Sequence, residues 1–537
     1  MIRITNVKLP LDHTEAQLTE AVLSALSIKQ DQLVDFTVFR RGFDARARNK
    51  ITLLYTIDVE TNCEGALLKQ HDKNQNVRLT PDMTYKYVAK APENLAERPV
   101  VVGFGPCGIF VGLVLAEMGY KPIILDRGKE VRERTKDTFG FWRTRTLDTE
   151  SNVQFGEGGA GTFSDGKLYT QINDKKHYGR KVLNDFVDAG APEEILYVSK
   201  PHIGTFKLVG MVEKMRAKIV ELGGEIRFNS RVDDLHIEGG QITGLTLSNG
   251  QQIKSKHIAL ATGHSARDTF EMLHDKSVYM EAKSFSIGFR IEHNQSAIDE
   301  VLFGKNAGNP ILGAADYKLV HHCKNGRSVY SFCMCPGGTV VAATSEENRV
   351  VTNGMSQYSR NERNANSAIV VGIDPEDYPS DSPLAGIELQ RQLESAAYVL
   401  GGQNYDAPAQ LVGDYLEGKS SEKFGKVEPS YKPGVKFTDM TEILPQYCLE
   451  ALREAIPAFN KKIRGFALKD AMLTGVETRT SSPVSIKRDR DYQSINTKGL
   501  YPAGEGAGYA GGIMSAAIDG IRVAEAMALA MNEEDKN

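Results

Sequence analysis

Hydrophobic and polar positions follow different periods along the chain. Over residues 1–90, short alternating runs that are typical of half-buried strands surround residues 15–26, whose apolar positions repeat with the period of a helix. We predict strands at residues 2–9, 32–41, 51–60 and 84–90. These elements indicate a small α+β domain over residues 1–92, for which a ferredoxin-like arrangement is one option.

The pattern changes after residues 91–99, which mix proline, asparagine and charged residues without periodicity and are typical of a linker. From Pro99 a continuous apolar run leads into a glycine turn, an apolar helix and a second buried strand, KPIILD. Strands that are apolar throughout are typical of parallel sheets buried on both faces. We therefore predict a βαβ unit in a second domain that begins near residue 98.

Later segments extend this domain and interrupt it. A predicted helix at residues 207–224 leads into several strands separated by Gly-Gly and Asn-Gly turns. Residues 283–465 mix strands with polar loops, and we predict that they form a substrate-side or cap domain. Arg349, Arg360 and Arg363 in this region could form an anion-binding lid or lie in a solvated loop. An amphipathic helix closes the chain.

Three glycines form a GxGxxG motif between the first buried strand and the apolar helix: Gly103, Gly105 and Gly108. The first permits a tight turn, the second lets the backbone approach a pyrophosphate, and the third lets the helix pack closely on the strand. Asp126 ends the next strand, about 20 residues further on, where an acidic side chain binds the adenosine ribose. The arrangement predicts a dinucleotide site.

Three features favour FAD over NAD as that dinucleotide. A predicted strand ends in Gly504-Glu505, where a carboxylate can accept a ribityl hydroxyl, and the helix that begins near Gly512 can stabilise a reduced flavin. An Ala-Thr-Gly turn at residues 261–263 closes a strand that returns to the sheet. A second GxGxxG, at residues 156–161, lacks the flanking strand and helix, so it predicts a loop with open backbone amides.

Seven motifs spread over most of the chain resemble those of a family of bacterial FAD-dependent dehydrogenases whose FAD-binding domain is of the glutathione reductase type. They are GFGPCG, FGEGGAGTFSDGK, PHIGT, ATGHSARD, FCMCPGG, GVETRTSSPV and AGEGAGYAGG. The resemblance implies FAD bound by Gly103, Gly105, Gly108, Asp126, Gly158, Gly159, Thr162, Glu505 and Gly512. It names no substrate. Asp126 and Glu505 stand where the family usually has Glu and Asp, so both carboxylates are kept.

The full set of predicted cofactor contacts also includes neighbours in the same turns: Pro106, Cys107, Arg127, Ala160, Gly161, Ala261, Thr262, Gly263, Gly504, Gly511 and Ile513. The predicted fold class is α/β. Residues 98–282 and 466–537 form a Rossmann-like FAD-binding domain of the glutathione reductase type, residues 283–465 form an inserted α+β cap, and residues 1–92 form the N-terminal α+β domain.

Catalytic side chains are hard to recognise because the flavin itself supplies the redox chemistry. His202 and His264 lie in loops at predicted sheet ends, where they could act on a ligand or serve as structural hydrogen-bonding groups. Arg479 lies beside Glu477, as Arg290 lies near Glu292, and either pair could bind an acidic substrate, tune the flavin or lie on the surface.

Cys333 and Cys335 alternate along a predicted strand, so both side chains would point to one face. They are candidates for a redox pair or a reactive thiol facing the flavin. They could equally be two small buried residues, since cysteine is among the most buried residue types.

Composition and charge limit the kinds of partner and compartment that we expect for the protein. The chain has 65 basic and 69 acidic side chains, a net charge of −4, which gives no general attraction to nucleic acid or membranes. Six cysteines without a CxxC pair predict no metal site and a cytoplasmic, reducing environment. The start of the chain reads as a strand, not a signal peptide, and uncharged residues 99–116 read as strand, turn and helix. We therefore expect a soluble protein.

A basic segment in the N-terminal domain leaves a second class of function open. Arg40, Arg41, Arg46, Arg48 and Lys50 could form a solvated hairpin face or could contact RNA, a protein or an acidic carrier. One alternative is therefore a flavin-bound binding or redox-sensing protein whose N-terminal domain recognises a macromolecule. Another is an FAD-dependent modifier of RNA or of a carrier-linked substrate.

The favoured hypothesis is an FAD-dependent oxidoreductase, a dehydrogenase or reductase that acts on a small molecule by hydride transfer at the flavin. No second strand-GxGxxG-helix unit follows the first. NAD(P)H is therefore a candidate for a transient electron donor rather than for a ligand with its own domain. The sequence predicts neither the substrate nor the oligomeric state.

Overall fold

A computed structural model describes residues 1–47, 50–95 and 97–534, so Arg48 of the basic segment lies outside the described residues. The N-terminal unit consists of β1 Ile2–Pro10, α1 Glu15–Leu26, β2 Leu33–Asp44, β3 Thr52–Thr61, α2 Glu64–Gln70 and β4 Val77–Leu79. Its strands lie in the order β2-β3-β1-β4, and all neighbours are antiparallel. This βαββαβ order is that of a ferredoxin-like unit.

The strand predicted at residues 84–90 is wrong. These residues pair with no strand, and β4 at Val77–Leu79 pairs with β1 instead. The Tyr85 hydroxyl donates to Glu525 at 3.1 Å, near the C-terminus of the chain. The alternation in TYKYVAK therefore reflects the packing of an extended segment, not a place in a sheet.

Part of the basic segment is used to hold the N-terminal unit in place. The Arg41 amide donates to the Tyr197 carbonyl at 2.6 Å, and the Ser199 amide donates to the Arg41 carbonyl at 2.8 Å. The Arg46 side chain is exposed and paired with Asp44. Arg41 of the basic segment therefore contacts the rest of the chain, whereas Arg46 faces the solvent.

The next part of the chain builds the layer that carries the glycine motifs. Its elements are β5 Val100–Val102, α3 Pro106–Glu117, β6 Ile123–Leu125, α4 Val131–Thr144, α5 Tyr178–Asp188, α6 Thr205–Glu221, β7 Glu225–Arg227, β8 Val232–Glu238, β9 Gln241–Leu247, β10 Gln252–Lys254, β11 Ile258–Leu260 and α7 Arg267–Asp275. Uncharged residues 99–116 thus divide into a strand, a turn and a helix, as predicted. Within the described residues, no helix has both the length and the apolar character of a bilayer span.

The remaining elements form a second large sheet and return to the first layer. They are β12 Met280–Ala282, β13 Phe285–Asn294, α8 Gln295–Phe303, β14 Val320–His322, β15 Ser328–Ala342, β16 Thr352–Ser356, β17 Asn364–Ile373, α9 Ala385–Leu400, β18 Ala407–Leu411, α10 Val412–Glu417, β19 Val435–Phe437, α11 Gln446–Lys462, β20 Met472–Glu477, β21 Val484–Ile486, β22 Leu500–Pro502 and α12 Ile513–Glu534.

The first layer is a five-stranded parallel sheet in the order β22-β11-β5-β6-β7. Side chains alternate between its two faces, as a sheet buried on both sides requires. Val101 packs with α3, α6 and α12, whereas its neighbours Val100 and Val102 pack against the small antiparallel sheet β10-β9-β8 and α7. Strand and helix termini therefore meet at the carboxyl edge of the sheet.

The second sheet has eight strands, in the order β14-β15-β17-β13-β20-β18-β19 with β16 beside β15, and we call it the cap sheet. β20 pairs with β13 and β18, so the cap sheet continues to Glu477, past the expected limit at residue 465. The polar region with Arg349, Arg360 and Arg363 is neither a lid nor a solvated loop as a whole, because β16 and the start of β17 lie inside it.

We predict that the buried ion pair Arg3–Asp58 stabilises the N-terminal unit. Both N···O distances are 2.7 Å, and Thr80 also donates to Asp58. Asp58→Asn leaves the Arg3 charge buried without its partner, and we expect a loss of about 3–5 kcal/mol in the free energy of unfolding of this unit. Urea unfolding monitored by hydrogen exchange in residues 1–80 measures it.

The matched control is Asp44→Asn, which removes an exposed pair in the same unit and should leave the urea midpoint unchanged, since solvent screens such pairs. Equal midpoints for the two variants would contradict the prediction.

Candidate active site

A cleft of about 650 Å³ opens between the carboxyl edge of the parallel sheet and the cap sheet. On one side its wall consists of the turns that follow β5, β6, β11 and β22. On the other side it is formed by β15 and β16, through residues that include Phe332, Cys333 and Asn353. Crevices at this edge of open α/β sheets are where ligands bind.

The turn after β5 exists only because side chains are absent from it. A Cβ on Gly108 would lie 1.8 Å from the Gly103 carbonyl oxygen, and one on Gly103 would lie 2.4 Å from the Ala261 carbonyl oxygen. Gly103 also has a φ of +101°, which favours glycine. Gly105, the residue before α3, has no side chain to cap the helix, so the first amides of α3 are open to a bound anion.

Asp126 supports this turn and also lines the cleft. Its carboxylate accepts the Phe104 amide at 2.9 Å and the Gly128 amide at 2.8 Å. Burial raises the pKa of Asp126, and the two backbone donors oppose that rise. Next to it, the Arg127 guanidinium lies 4.4 Å from the centre of the Phe155 ring and pairs with Asp268 at 2.6 Å.

The turn after β22 brings Glu505 to His264. Glu505 Oε1 lies 2.9 Å from His264 Nδ1, and both residues line the cleft. His264 Nε2 is buried, and no described residue forms a hydrogen bond with it. The carboxylate therefore orients the imidazole through Nδ1 and leaves Nε2 without a hydrogen-bond partner among the described residues.

Sixteen of the twenty predicted cofactor contacts line the cleft. The other four, Gly108, Gly158, Thr162 and Gly504, do not. Gly158 and Thr162 face a small cavity against α6, and Gly504 lies against the Cys107 side chain. These four residues belong to the same turns but do not line the cleft.

The five predicted catalytic residues also divide into those that line the cleft and those that do not. His264, Cys333 and Arg479 line the cleft, whereas His202 and Cys335 do not. His202 Nε2 hydrogen bonds to the Tyr358 carbonyl at 2.9 Å, its ring stacks on that of Tyr358, and burial lowers its pKa. This environment is that of a structural histidine.

All three guanidinium nitrogens of Arg479 donate hydrogen bonds to neighbouring side chains. Nε and Nη2 donate to Glu394 at 3.2 and 3.1 Å, and Nη1 donates to Ser265 and Ser345 at 3.1 and 2.6 Å. Arg267 binds the same Glu394 at 2.7 Å. Burial alone would raise the pKa of Glu394, but the two guanidinium groups hold it well below its usual range.

A second buried cluster of charged side chains was not predicted from the sequence. Asp165 pairs with Arg360 at 2.6 Å and with Lys167 at 2.9 Å, and Lys167 Nζ also donates to the Met334 carbonyl. Burial opposes ionisation, but the two cations keep the pKa of Asp165 below its usual range. Asp165 and Lys167 are neighbours in the motif FGEGGAGTFSDGK, but Arg360 lies 195 residues further along the chain, so no local pattern could have joined the three.

One group of potential metal-binding side chains outside the cleft was also not predicted from the sequence. His321, Cys323 and Glu454 bring one potential metal-binding atom each within 4.8 Å of one another, where the cysteine spacing had predicted no metal site. His321 Nε2 lies 3.0 Å from Glu454 Oε1, although the residues are 133 positions apart. Existing hydrogen bonds account for all three side chains: Cys323 donates to the Ala451 carbonyl and Lys324 to Glu454.

The parallel sheet, the glycine turns and the cleft beside them define a fold of the dinucleotide-binding class. Residues 284–480 match the family model described as FAD-dependent protein, C-terminal domain-like, and residues 1–60 match a domain of unknown function, DUF8436. An uncharacterized protein of Clostridium beijerinckii is 49% identical over 526 residues, 98% of each chain. The chain therefore belongs to this family of FAD-dependent proteins, and FAD is its cofactor.

Solved structures of flavoenzymes are similar to parts of the chain at low identity. L-proline dehydrogenase from P. horikoshii has a TM-score of 0.36 and 14% identity, covering 80% of this chain and 92% of that one. Glycine oxidase from Bacillus cereus has a TM-score of 0.32 and 11% identity, covering 82% and 96%. The family assignment rests on the sequence relatives.

We predict that Gly108→Ala prevents FAD binding, because the added Cβ would overlap the Gly103 carbonyl and push α3 away from β5. The flavin absorbance per protein after purification with excess FAD should fall several-fold. Gly210→Ala in α6 is the control, since its Cβ would meet no atom within 4 Å. Glycine in a helix costs about 0.5–1 kcal/mol relative to alanine, so this variant should keep its flavin and gain slight stability. Full flavin content in Gly108→Ala would refute the prediction.

Proposed function

We propose that the protein transfers a hydride between a small molecule and FAD held in the cleft between the parallel sheet and the cap sheet. The observation that carries this proposal is the continuity of the cleft, which joins the glycine turns at one end to β15 of the cap sheet at the other. FAD, when bound, supplies the hydride chemistry. The protein must hold it, place a substrate beside it and exclude water.

The cofactor assignment follows the order of the turns. The open amides at the start of α3 would hold the pyrophosphate, and Asp126 the adenosine ribose. Arg127, which lies over the Phe155 ring, would border the adenine. Glu505 would accept a ribityl hydroxyl, and the backbone at Gly512, where α12 begins, would stabilise negative charge on the pyrimidine edge.

The substrate space would lie at the cap end. Tyr317, Phe332 and Asn353 offer an aromatic and amide surface, and Lys318 at the rim is exposed. His264, oriented by Glu505, is the residue best placed to hold or move a proton, because its Nε2 has no competing partner among the described residues. The cap, residues 283–465 extended to the end of β20, would cover the site.

We expect Asp126→Asn to weaken FAD binding by about tenfold or more, since a hydrogen bond to a charged group contributes about 1.5–3 kcal/mol. FAD titration of the flavin-free protein, followed by fluorescence quenching, measures the Kd. Asp268→Asn, which changes the partner on the outer side of Arg127, is the control and should bind FAD nearly as well as the parent protein. Equal Kd values for all three proteins would exclude the proposed ribose contact.

The direction of electron flow is tested by following the visible spectrum anaerobically while NADPH and then NADH are added. We expect one nicotinamide to bleach the flavin, which identifies a reductase fed by transient docking of NAD(P)H. A flavin that stays oxidised with both would exclude that route and leave a C–H donor as the source of the hydride. A protein unable to bind FAD at all would overturn the proposal.

A further inference from the structure

Two cysteines lie in the part of the cap sheet that faces the cleft. β15 loses its regular pairing with β17 between Phe332 and Cys335 and again between Cys335 and Gly338. Cys333 adopts a left-handed backbone with a φ of +45°. The expected strand alternation is therefore interrupted here: Cys333 lines the cleft, and Cys335 is fully buried.

Buried cations hold two consecutive carbonyl groups of this segment. Arg290 Nη1 donates to the Cys333 carbonyl at 2.9 Å, and Nη2 of the same side chain is paired with Glu477 at 2.8 Å. Lys167 Nζ donates to the Met334 carbonyl. Because both cations are anchored by carboxylates of their own, they fix the irregular backbone and place two positive charges at the carbonyls of Cys333 and Met334.

The second thiol is oriented toward the first residue. Cys335 Sγ lies 3.3 Å from the Cys333 carbonyl oxygen. A Cβ on Gly354 would lie 2.8 Å from this sulfur and 2.4 Å from Arg290 Nη1, so a glycine is needed for both groups to fit. A hydrogen bond from Cys335, together with Lys167 and Arg290, lowers the pKa of Cys333 despite its burial, and the same pairing raises that of Cys335.

We propose that Cys333 and Cys335 form a peroxide-reactive thiol pair, with Cys333 as the residue attacked from the cleft and Cys335 as the resolving thiol. Accessible, cation-flanked thiols beside a second cysteine are the sites that oxidise reversibly. The inference does not rest on the proposed hydride transfer, because it concerns only sulfur chemistry in the wall of the cleft.

The reaction balances with hydrogen peroxide as the oxidant. The Cys333 thiolate attacks one peroxide oxygen, the O–O bond breaks, an S–O bond forms, and the displaced hydroxide takes up a proton to become water. Cys335 then attacks Cys333 Sγ, an S–S bond replaces the S–O bond, and the oxygen leaves with the Cys335 proton as a second water. Two thiols lose two electrons and one peroxide gains them.

Other cysteines provide internal controls. Cys107 also lines the cleft, but burial raises the pKa of its thiol and no second cysteine is beside it. Burial likewise raises the pKa of Cys448.

The test treats the FAD-loaded protein with one equivalent of hydrogen peroxide and maps the cysteines by mass spectrometry. We expect the peptide that contains Cys333 and Cys335 to lose two hydrogens and to regain them with dithiothreitol, at a rate about tenfold or more above oxidation of Cys107. In Cys335→Ser, dimedone should label Cys333, because the sulfenic acid is no longer resolved. In Cys333→Ser, Cys335 should stay reduced.

Slow oxidation of Cys333, at the rate of Cys107, would overturn the inference, as would dimedone labelling of Cys335 in the parent protein. Cys448→Ser is the matched control and should behave as the parent protein does. Because the readout is the mass of cysteine peptides in the unmodified protein as well as in the variants, a variant that fails to fold leaves the test intact. Failure to bind FAD or to accept a hydride would be seen separately in the flavin spectrum.

Discussion

Close contact between backbones is the constraint on which this cleft depends. α3 approaches β5 so closely at Gly108 that a methyl group would occupy the Gly103 carbonyl, and α12 approaches α3 at Gly520 with the Cys107 carbonyl oxygen 2.4 Å from where a Cβ would lie. The turn after β22 meets that after β11 in the same way, at Gly506. Helix starts and strand ends are thereby drawn to one edge, where open amides face the cleft.

Buried charges then fix the cap to this edge. Glu394 of α9 joins Arg267 of the first layer to Arg479 beside the cap, and Asp165, just after the second glycine loop, holds Arg360 from the cap. Burying ion pairs costs desolvation energy that their attraction only partly offsets, so such pairs are weak sources of stability. Their effect here is geometric, because each cluster joins a residue of the first layer to a residue of the cap or beside it and so fixes the two against each other.

The sequence predicted the features that neighbouring residues determine and missed those that depend on contacts between distant parts of the chain. The first glycine turn, Asp126 and the start of α12 were predictable because the spacing of neighbouring residues alone determines them. Residues 84–90 were not, because their alternation reflects contacts with a distant helix. The cysteines show the same limit: alternation predicted a regular strand, but β15 loses its regular pairing with β17 around Cys335, and Arg290 and Lys167 from other elements donate to the backbone there.

The N-terminal unit packs against the layer of the parallel sheet and does not stand apart from it. Arg41 of its basic segment pairs through its backbone with residues beside Val198, and its guanidinium lies over the Tyr197 ring. The Arg180 guanidinium, from the layer of the parallel sheet, lies 4.5 Å from the centre of the Phe39 ring. Arg41 and Phe39 are thus occupied by contacts within the chain, whereas the Arg46 side chain is exposed and paired with Asp44. Because a nucleic-acid surface needs several free basic side chains on one face, these internal contacts leave fewer of them on the described part of this segment.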